Sequence, residues 1–272
     1  MRFLTAITAT ITAAIFLMAA FLPMAQAQNG GGQQPIDISA DEALEWDREN
    51  ARYIARGNAL AVQGTTTIRA DLLTAYYDPG DSGATDLTEL QAEGNVEIID
   101  AETHIFGQQG TYDLRTEVAR VTGDGLKMQT PRMVITADEY FEYDGRGGKV
   151  LANGNAVAIE GDKRLETEKI IAHLRENADG AMAVSHYEAP GRVKIITPGE
   201  TATGNRGTYS PASQKAVLTG DVVITQEKNI LHGEKAEVNM ATGVSRMFAA
   251  EKDGELGGRV RGTFYPKQDG EE

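Results

Sequence analysis

Apolar and polar positions alternate with a period of two in many short segments of the chain. GNALAVQ, which begins at Gly57, and GNAVAIE, which begins at Gly154, both show this alternation. Because successive side chains of a β-strand point to opposite faces, the alternation predicts strands with one large apolar face and one small or polar face. We expect the larger side chains of these two segments to form the apolar face: Leu60, Val62, Val157 and Ile159.

Two related segments start their apolar stripe one residue earlier. In GNVEII the stripe is Val96 and Ile98, and in GRVKII it begins at Val193. Side-chain size therefore predicts that the glycine before each strand does not keep one register. A β-bulge in some of the strands would shift the register in this way.

The glycine-led segment recurs along the chain at intervals of roughly thirty to forty residues. Between these segments lie partner segments such as TIRADLLTAYYD and MVITADEYFEYD, so that each cycle holds two strands. Such a period is typical of a fold that stacks copies of one supersecondary unit. ADEALEWD and KRLETEKIIAHLR have helical character by themselves, but their repeat positions assign them to strands.

One apolar face per strand predicts an antiparallel sheet that folds over so that two inner faces meet. The predicted fold class is all-β: an elongated antiparallel β-jelly roll built from repeated hairpin units and open at both ends. A parallel β-helix is the alternative, but its rungs are shorter than a two-strand period.

The N-terminus has the pattern of a secretory signal. Arg2 precedes a long apolar run, which ends at Pro23 and the small-residue site Ala25-Gln26-Ala27. We expect residues 1–27 to be cleaved, 28–34 to form a flexible linker, 35–265 to form the jelly roll and 266–272 to be a solvated tail. An uncleaved membrane anchor is the alternative. The sequence leaves open whether 161–265 continue the first jelly roll or form a second one.

Composition narrows the possible functions. The 272 residues include 26 basic and 40 acidic side chains, a formal charge of −14, and no cysteine. The charge disfavours attraction to nucleic acid or to an anionic membrane surface. The absence of cysteine excludes disulfides, thiolate metal sites and cysteine nucleophiles.

No motif for catalysis or metal binding stands out. The four histidines are scattered over separate repeats, and no G-x-S-x-G or Walker sequence occurs. We expect no enzyme activity, no metal and no cofactor. Asp41, Asp71 and Asp138 each follow an alanine, and we expect them to pin bends by side-chain hydrogen bonds rather than to bind a metal.

Two motifs resemble those of the periplasmic lipopolysaccharide-transport bridge family, the LptA/OstA-like proteins. The I-x-I-x-A-D motif corresponds to Ile36, Ile38, Ala40 and Asp41. A second motif, G-N-V-x-V-x-Q-G followed by I-x-A-D, corresponds to the stretch from Gly57 to Asp71 with Leu60 and Val62 at its apolar positions. The resemblance is strongest over 35–160 and fainter over 161–248.

This resemblance implies a periplasmic carrier that holds the acyl chains of lipopolysaccharide in an apolar groove. It also implies partners: an inner-membrane-anchored relative, the β-jelly roll of the outer-membrane translocon, and further copies of the chain stacked head to tail. The alternatives are a periplasmic β-scaffold that binds no lipid, a membrane-anchored relative, and a β-helix enzyme that acts on polysaccharide.

An acidic protein gains little from contacts with an anionic head group, so the acyl chains must supply the binding energy. Each buried methylene contributes about 0.8 kcal/mol. From alternation and repeat position we expect ten apolar side chains to line the groove: Ile36, Ile38, Leu60, Val62, Ile68, Val96, Ile98, Ile105, Val157 and Ile159.

Overall fold

The computed structural model describes residues 35–79, 85–100, 102–176, 182–239, 242, 244–252, 255–256 and 258–265. The predicted signal peptide, linker and tail lie outside these residues. All regular elements of the described part are β-strands. The described part has no helix of the length and apolar character needed to cross a membrane.

Twenty strands follow one another along the chain. The first ten are β1 (Asp37–Ser39), β2 (Ala43–Asp47), β3 (Arg52–Gln63), β4 (Thr66–Pro79), β5 (Thr85–Asp100), β6 (Thr103–Asp113), β7 (Val118–Thr122), β8 (Lys127–Gln129), β9 (Val134–Thr136) and β10 (Tyr140–Asp144). The others are β11 (Lys149–Glu160), β12 (Lys163–Glu176), β13 (Met182–Ile196), β14 (Thr201–Ser210), β15 (Lys215–Gln226), β16 (Asn229–Asn239), β17 (Val244–Phe248), β18 (Glu251–Lys252), β19 (Glu255–Leu256) and β20 (Arg261–Thr263).

The strands fall into two compact units. The N-terminal unit comprises 35–156 with 171–184, and the C-terminal unit comprises 157–170 with 185–265. Within each unit, consecutive strands pair as antiparallel hairpins, for example β3 with β4 and β15 with β16. The predicted all-β, antiparallel jelly roll of hairpin repeats is confirmed. The two helix-like segments form β2 and β12, as their repeat positions predicted.

Four of the repeat glycines, Gly57, Gly94, Gly191 and Gly220, lie at β-bulges. The register between β3 and β4 shifts between Arg56 and Ala59, and the same shift occurs in β5 between Glu93 and Val96. Gly57 and Gly94 have φ of 77° and 75° at these bulges, a conformation that costs glycine little. Gly57 and Gly94 therefore give β3 and β5 the same local geometry within the strand.

The observed register at the repeat glycines differs from the predicted one. In five repeats the second residue after the glycine points inward and is buried, whatever its size: Ala59, Val96, Ala156, Val193 and Val222. The glycine thus keeps one register in these five repeats. The prediction that Leu60, Val62, Val157 and Ile159 form the inner face is wrong, because alternation from a fixed bulge sends them to the other face.

Alanines occupy inner positions of β3 and β11, and larger side chains occupy the outer positions. Ala59 lies opposite Ala70 and is 0% exposed, whereas Ile159 on the other face of β11 is 38% exposed. Larger side chains on the outer face cover the sheet surface without entering the core. Size alone therefore misidentifies the inner face of such a strand.

A continuous row of inner side chains crosses the N-terminal unit. Its members are cross-strand neighbours on β1, β3, β4, β5, β6, β8 and β9: Ile38, Ala61, Ile68, Ile98, Ile105, Met128 and Ile135. We call this set the isoleucine row. Met128 and Ile135, at one end, are each 1% exposed, whereas Ile38, Ile68 and Ile98 stay half-buried. Part of the row is therefore accessible.

The C-terminal unit has its own packed core. Tyr187 stacks on Tyr209 with ring centroids 6.2 Å apart, and both side chains are buried. Val193, Ile195 and Val222 are each at most 2% exposed. The unit ends with β17 and β20, which pair with successive parts of β16.

Candidate functional site

An apolar cavity of about 210 Å³ lies on the inner face of the N-terminal unit. Its walls come from β3, β4, β5, β6, β7 and β10, with Ile36 from the segment before β1. The aliphatic side chains that line it are Ile36, Ile68, Leu73, Leu90 and Ile98. A cavity of about 150 Å³ is enough for one benzene molecule, so this one accommodates a longer hydrocarbon segment.

A second cavity, of about 120 Å³, lies next to the first. The two share Thr66, Ile98, Ala119 and Tyr143 as wall residues, so they form one track along the inner face. Ile105, Val121 and Phe141 line the second cavity only. We call the two cavities together the inner track.

Small side chains create the inner track. Ala61, Ala92, Gly110 and Ala119 all lie in its wall, and Ala92 and Gly110 are cross-strand neighbours of each other. Ala119, for example, lies between Tyr112 and Tyr143 in the cross-strand register. A Cβ built on Gly110 would meet its nearest neighbour, Val96, at an ordinary 3.4 Å. The space therefore follows from residue size and not from a strained backbone.

The wall residues keep accessible surface even though they face inward. Ile36, Ile68 and Ile98 are half-buried, whereas Val96 in the layer beside them is 1% exposed. Accessible apolar surface is unfavourable in water and is covered favourably by another apolar group. The inner track can thus bind a hydrocarbon chain.

Two tyrosines supply polar atoms to this wall. Burial raises the pKa of Tyr112 and of Tyr143 above the usual value for a phenol. Both hydroxyls therefore stay protonated and neutral in ordinary conditions. These two tyrosines therefore add polar atoms but no charge to the wall.

The structure brings together six of the ten predicted groove residues, in the inner track or in the buried core cluster formed by Ala55, Ala59, Ala61, Ala70, Leu73, Ala92 and Val96. Ile36, Ile68, Ile98 and Ile105 line the inner track, and Ile38 packs against the same core cluster. Val96 is a buried member of that cluster. The other predicted residues lie elsewhere: Leu60 and Val62 on the opposite face of β3, and Val157 and Ile159 on the face of β11 opposite its buried alanines.

Sequence reasoning missed the small wall residues and the tyrosines. Ala61, Gly110 and Ala119 carry no hydrophobic signal that separates them from spacers. One signal could have found the correct face: the second residue after Gly57, Gly94, Gly154, Gly191 and Gly220 is the inward position in each of these five strands. Tyr112 and Tyr143 stand at inward positions of the partner strands by the same register.

The outermost strands expose large apolar side chains. On β2, Leu44 is 61% and Trp46 is 52% exposed, although Trp46 donates a hydrogen bond of 2.8 Å from Nε1 to the Tyr77 hydroxyl. In the C-terminal unit, Phe264 and Tyr265 beside β20 are 59% and 58% exposed. These edges offer both backbone hydrogen-bonding groups and apolar surface.

Comparison with known proteins shows to which family the chain belongs. The sequence model of the LptA/(LptD N-terminal domain) LPS transport protein family matches residues 37–139 and 134–244. An uncharacterized protein of Rhizobium meliloti is 27% identical over 134 residues, which are 47% of this chain and 72% of that protein. The LPS-assembly protein LptD of Vibrio cholerae is 33% identical over 86 residues, 32% of this chain and only 10% of that protein.

Among solved structures, LptH of Pseudomonas aeruginosa is similar, with 13% identity and a TM-score of 0.22 over 86% of this chain and 96% of that one. LptH is the LptA-homologous periplasmic component of a conserved lipopolysaccharide transport device. The two family-model matches together span most of the strands described above. The chain therefore belongs to the LptA/(LptD N-terminal domain) LPS transport protein family.

Proposed function

We propose that this protein is a periplasmic carrier that holds acyl chains of lipopolysaccharide in the inner track and passes them from inner-membrane to outer-membrane machinery. The observation that carries the proposal is the track itself, whose larger cavity of about 210 Å³ has half-buried aliphatic walls, in a member of a lipopolysaccharide transport family. Head groups would remain in water, outside the apolar walls.

The size of the track supports transfer better than permanent storage. At about 0.8 kcal/mol per buried methylene, a cavity that covers only a segment of one chain gives moderate binding. The adjoining cavity of about 120 Å³ lets that segment shift along shared walls. A carrier must release its cargo, and partial coverage permits release.

The exposed edges support assembly into a bridge. Edge strands β2 and β20 can each accept another strand by β-augmentation, and the apolar side chains beside them would be covered in the same contact. The proposed partners are further copies of the chain, an inner-membrane-anchored relative and the jelly roll of an outer-membrane component. A scaffold without lipid would use the same edges but would leave the inner track empty.

A cavity-filling substitution tests the carrier function. Ala119 is half-buried and lines both cavities, so Ala119→Phe should fill the track and lower binding of fluorescent lipopolysaccharide by about tenfold or more. Leu60→Phe, on the opposite face of β3, is the control and should bind as the original protein does. Equal binding by all three proteins, with unfolding transitions intact, would contradict the carrier function.

A further inference from the structure

The inner face of the N-terminal unit changes from apolar to polar next to the isoleucine row. On each of the four strands β3, β4, β5 and β6, the residue two positions from the isoleucine row, on the same side of that row, is polar. These residues are cross-strand neighbours in the order Gln63, Thr66, Asp100 and Thr103. We call this set the polar row. Residues two apart on a strand are about 7 Å apart, so the polar row runs beside the isoleucine row at that distance.

All four members of the polar row border the inner track. Gln63 and Thr66 lie in the wall of the larger cavity, and Thr66, Asp100 and Thr103 lie in the wall of the smaller one. Thr103 is only 4% exposed. The track therefore has an apolar floor with the polar row along one border. Glu142 also lies in the wall of the smaller cavity, but its carboxylate accepts a hydrogen bond from Arg120.

The polar row has a defined hydrogen-bonding character. Its amide and hydroxyls can donate and accept, whereas the Asp100 carboxylate can only accept. Thr65 donates a hydrogen bond of 2.9 Å from its hydroxyl to Asp100 Oδ1, which fixes the carboxylate at the β3–β4 turn. A negatively charged acceptor held at the border of an apolar track favours a ligand with a hydrogen-bond donor and repels an anion.

We propose that the polar row binds the polar linkage at the head of an acyl chain while the hydrocarbon lies along the isoleucine row. This inference rests on the proposed function and adds selectivity to it. The preferred ligand is an acyl chain whose linkage carries a donor, such as an amide N–H or a hydroxyl. A free fatty-acid anion is disfavoured, because its carboxylate would lie against Asp100.

Three probes with the same hydrocarbon chain test this selectivity: N-dodecanoylglucosamine, methyl dodecanoate and dodecanoate. Their binding to the full chain is measured by calorimetry below the micelle-forming concentration of each probe. The N-acyl probe should bind most tightly and the anion least. Asp100→Asn should weaken binding of the N-acyl probe and strengthen binding of the anion. The ratio of their two affinities should fall by about tenfold.

The control is a hairpin position of the same kind in the C-terminal unit. Gln226 precedes the β15–β16 turn as Gln63 precedes the β3–β4 turn. Gln63→Leu should lower the preference for the N-acyl probe, whereas Gln226→Leu should leave it unchanged. Equal shifts in the two variants would overturn the role of Gln63.

The outcomes separate this inference from the carrier function. If all three probes bind with equal affinity and Asp100→Asn changes none of them, the selectivity is overturned while acyl binding stands. If no probe binds the original protein, both proposals are overturned. If Asp100→Asn changes the probe affinities in opposite directions as predicted, the result supports both the selectivity and the carrier function. A collapsed fold would instead weaken binding of all three probes together.

Discussion

Asn155 donates a hydrogen bond of 2.8 Å from Nδ2 to the Asp138 carboxylate across a β-bulge of the N-terminal unit. The same pairing recurs as Asn58 with Asp41 at 2.9 Å and Asn95 with Asp71 at 2.8 Å. The three asparagines have φ between 43° and 46°, which asparagine tolerates better than most residues. The aspartates predicted to pin bends thus do so, and the bulge they hold sets which face of each strand is inner.

The first prediction concerns the glycine of this bulge. Gly154 has φ of 87°, and a Cβ there would lie 2.6 Å from Glu139 Cγ and 2.9 Å from its backbone nitrogen. Gly154→Ala should therefore lower the free energy of unfolding by about 2 kcal/mol or more, from backbone strain and crowding together. Urea unfolding measures the loss.

Gly161 supplies the control for crowding. Its φ is 58°, but a Cβ there would meet nothing within 4 Å. Gly161→Ala should cost about 1 kcal/mol, since only the strain applies. Equal losses at the two glycines would show that the close approach of Glu139 does not constrain the bulge.

The second prediction concerns pH and uses two glutamates of the C-terminal unit. Burial raises the pKa of Glu200, so the folded protein holds its proton more tightly and loses stability as pH rises toward that raised value. Glu200→Gln should therefore gain stability at neutral pH. The gain should vanish in acid below the ordinary pKa of a glutamate.

Glu166 should show the opposite sign. Arg164 donates a hydrogen bond of 2.6 Å to it, which together with Lys194 lowers the pKa of the carboxyl. The stabilisation is present above the unfolded-state pKa and is lost as pH falls through the lowered value, so Glu166→Gln should lose stability at neutral pH only. Both substitutions remove one negative charge, so thermal unfolding between acid and neutral pH isolates the local effects. Stability changes of the same sign for Glu200→Gln and Glu166→Gln at neutral pH would contradict the opposite pKa shifts of the two glutamates.

The third prediction concerns self-association through β2. Leu44 is 61% exposed on this edge strand, and a charge there blocks strand addition, as lysines do on natural sheet edges. Leu44→Lys should lower the weight-average mass measured by sedimentation at high protein concentration. Ile159→Lys, at an exposed position of β11, should leave that mass unchanged. If Leu44→Lys also leaves the mass unchanged, β2 does not take part in the proposed bridge.

Much of the fold could be predicted from the sequence, because glycine spacing and period-two alternation both reflect backbone geometry. The inner face was harder. In β5 the larger side chain Val96 is the buried one, so size and register agree, but in β3 the buried residue is Ala59 and the larger Leu60 faces out. Size therefore does not predict which face is buried in β3, where the bulge at Gly57 sets the register.

The candidate site shows the same limit. Ile68 and Ile98 could be found because long aliphatic side chains mark an apolar wall. The space between the walls depends on Gly110 and Ala119, because their small size leaves the cavity unfilled. Such positions become visible only when the cross-strand register is known.

Photo-crosslinking at two adjacent isoleucines tests the central claim most directly. Ile98 lines both cavities, whereas Ile99 follows it on β5 and points to the other face, opposite Thr67 and His104. With a benzophenone amino acid at each position in turn, radiolabelled lipopolysaccharide should form an adduct at Ile98 and little or none at Ile99. Equal labelling at both positions, or labelling at Ile99 alone, would contradict binding of acyl chains in the inner track.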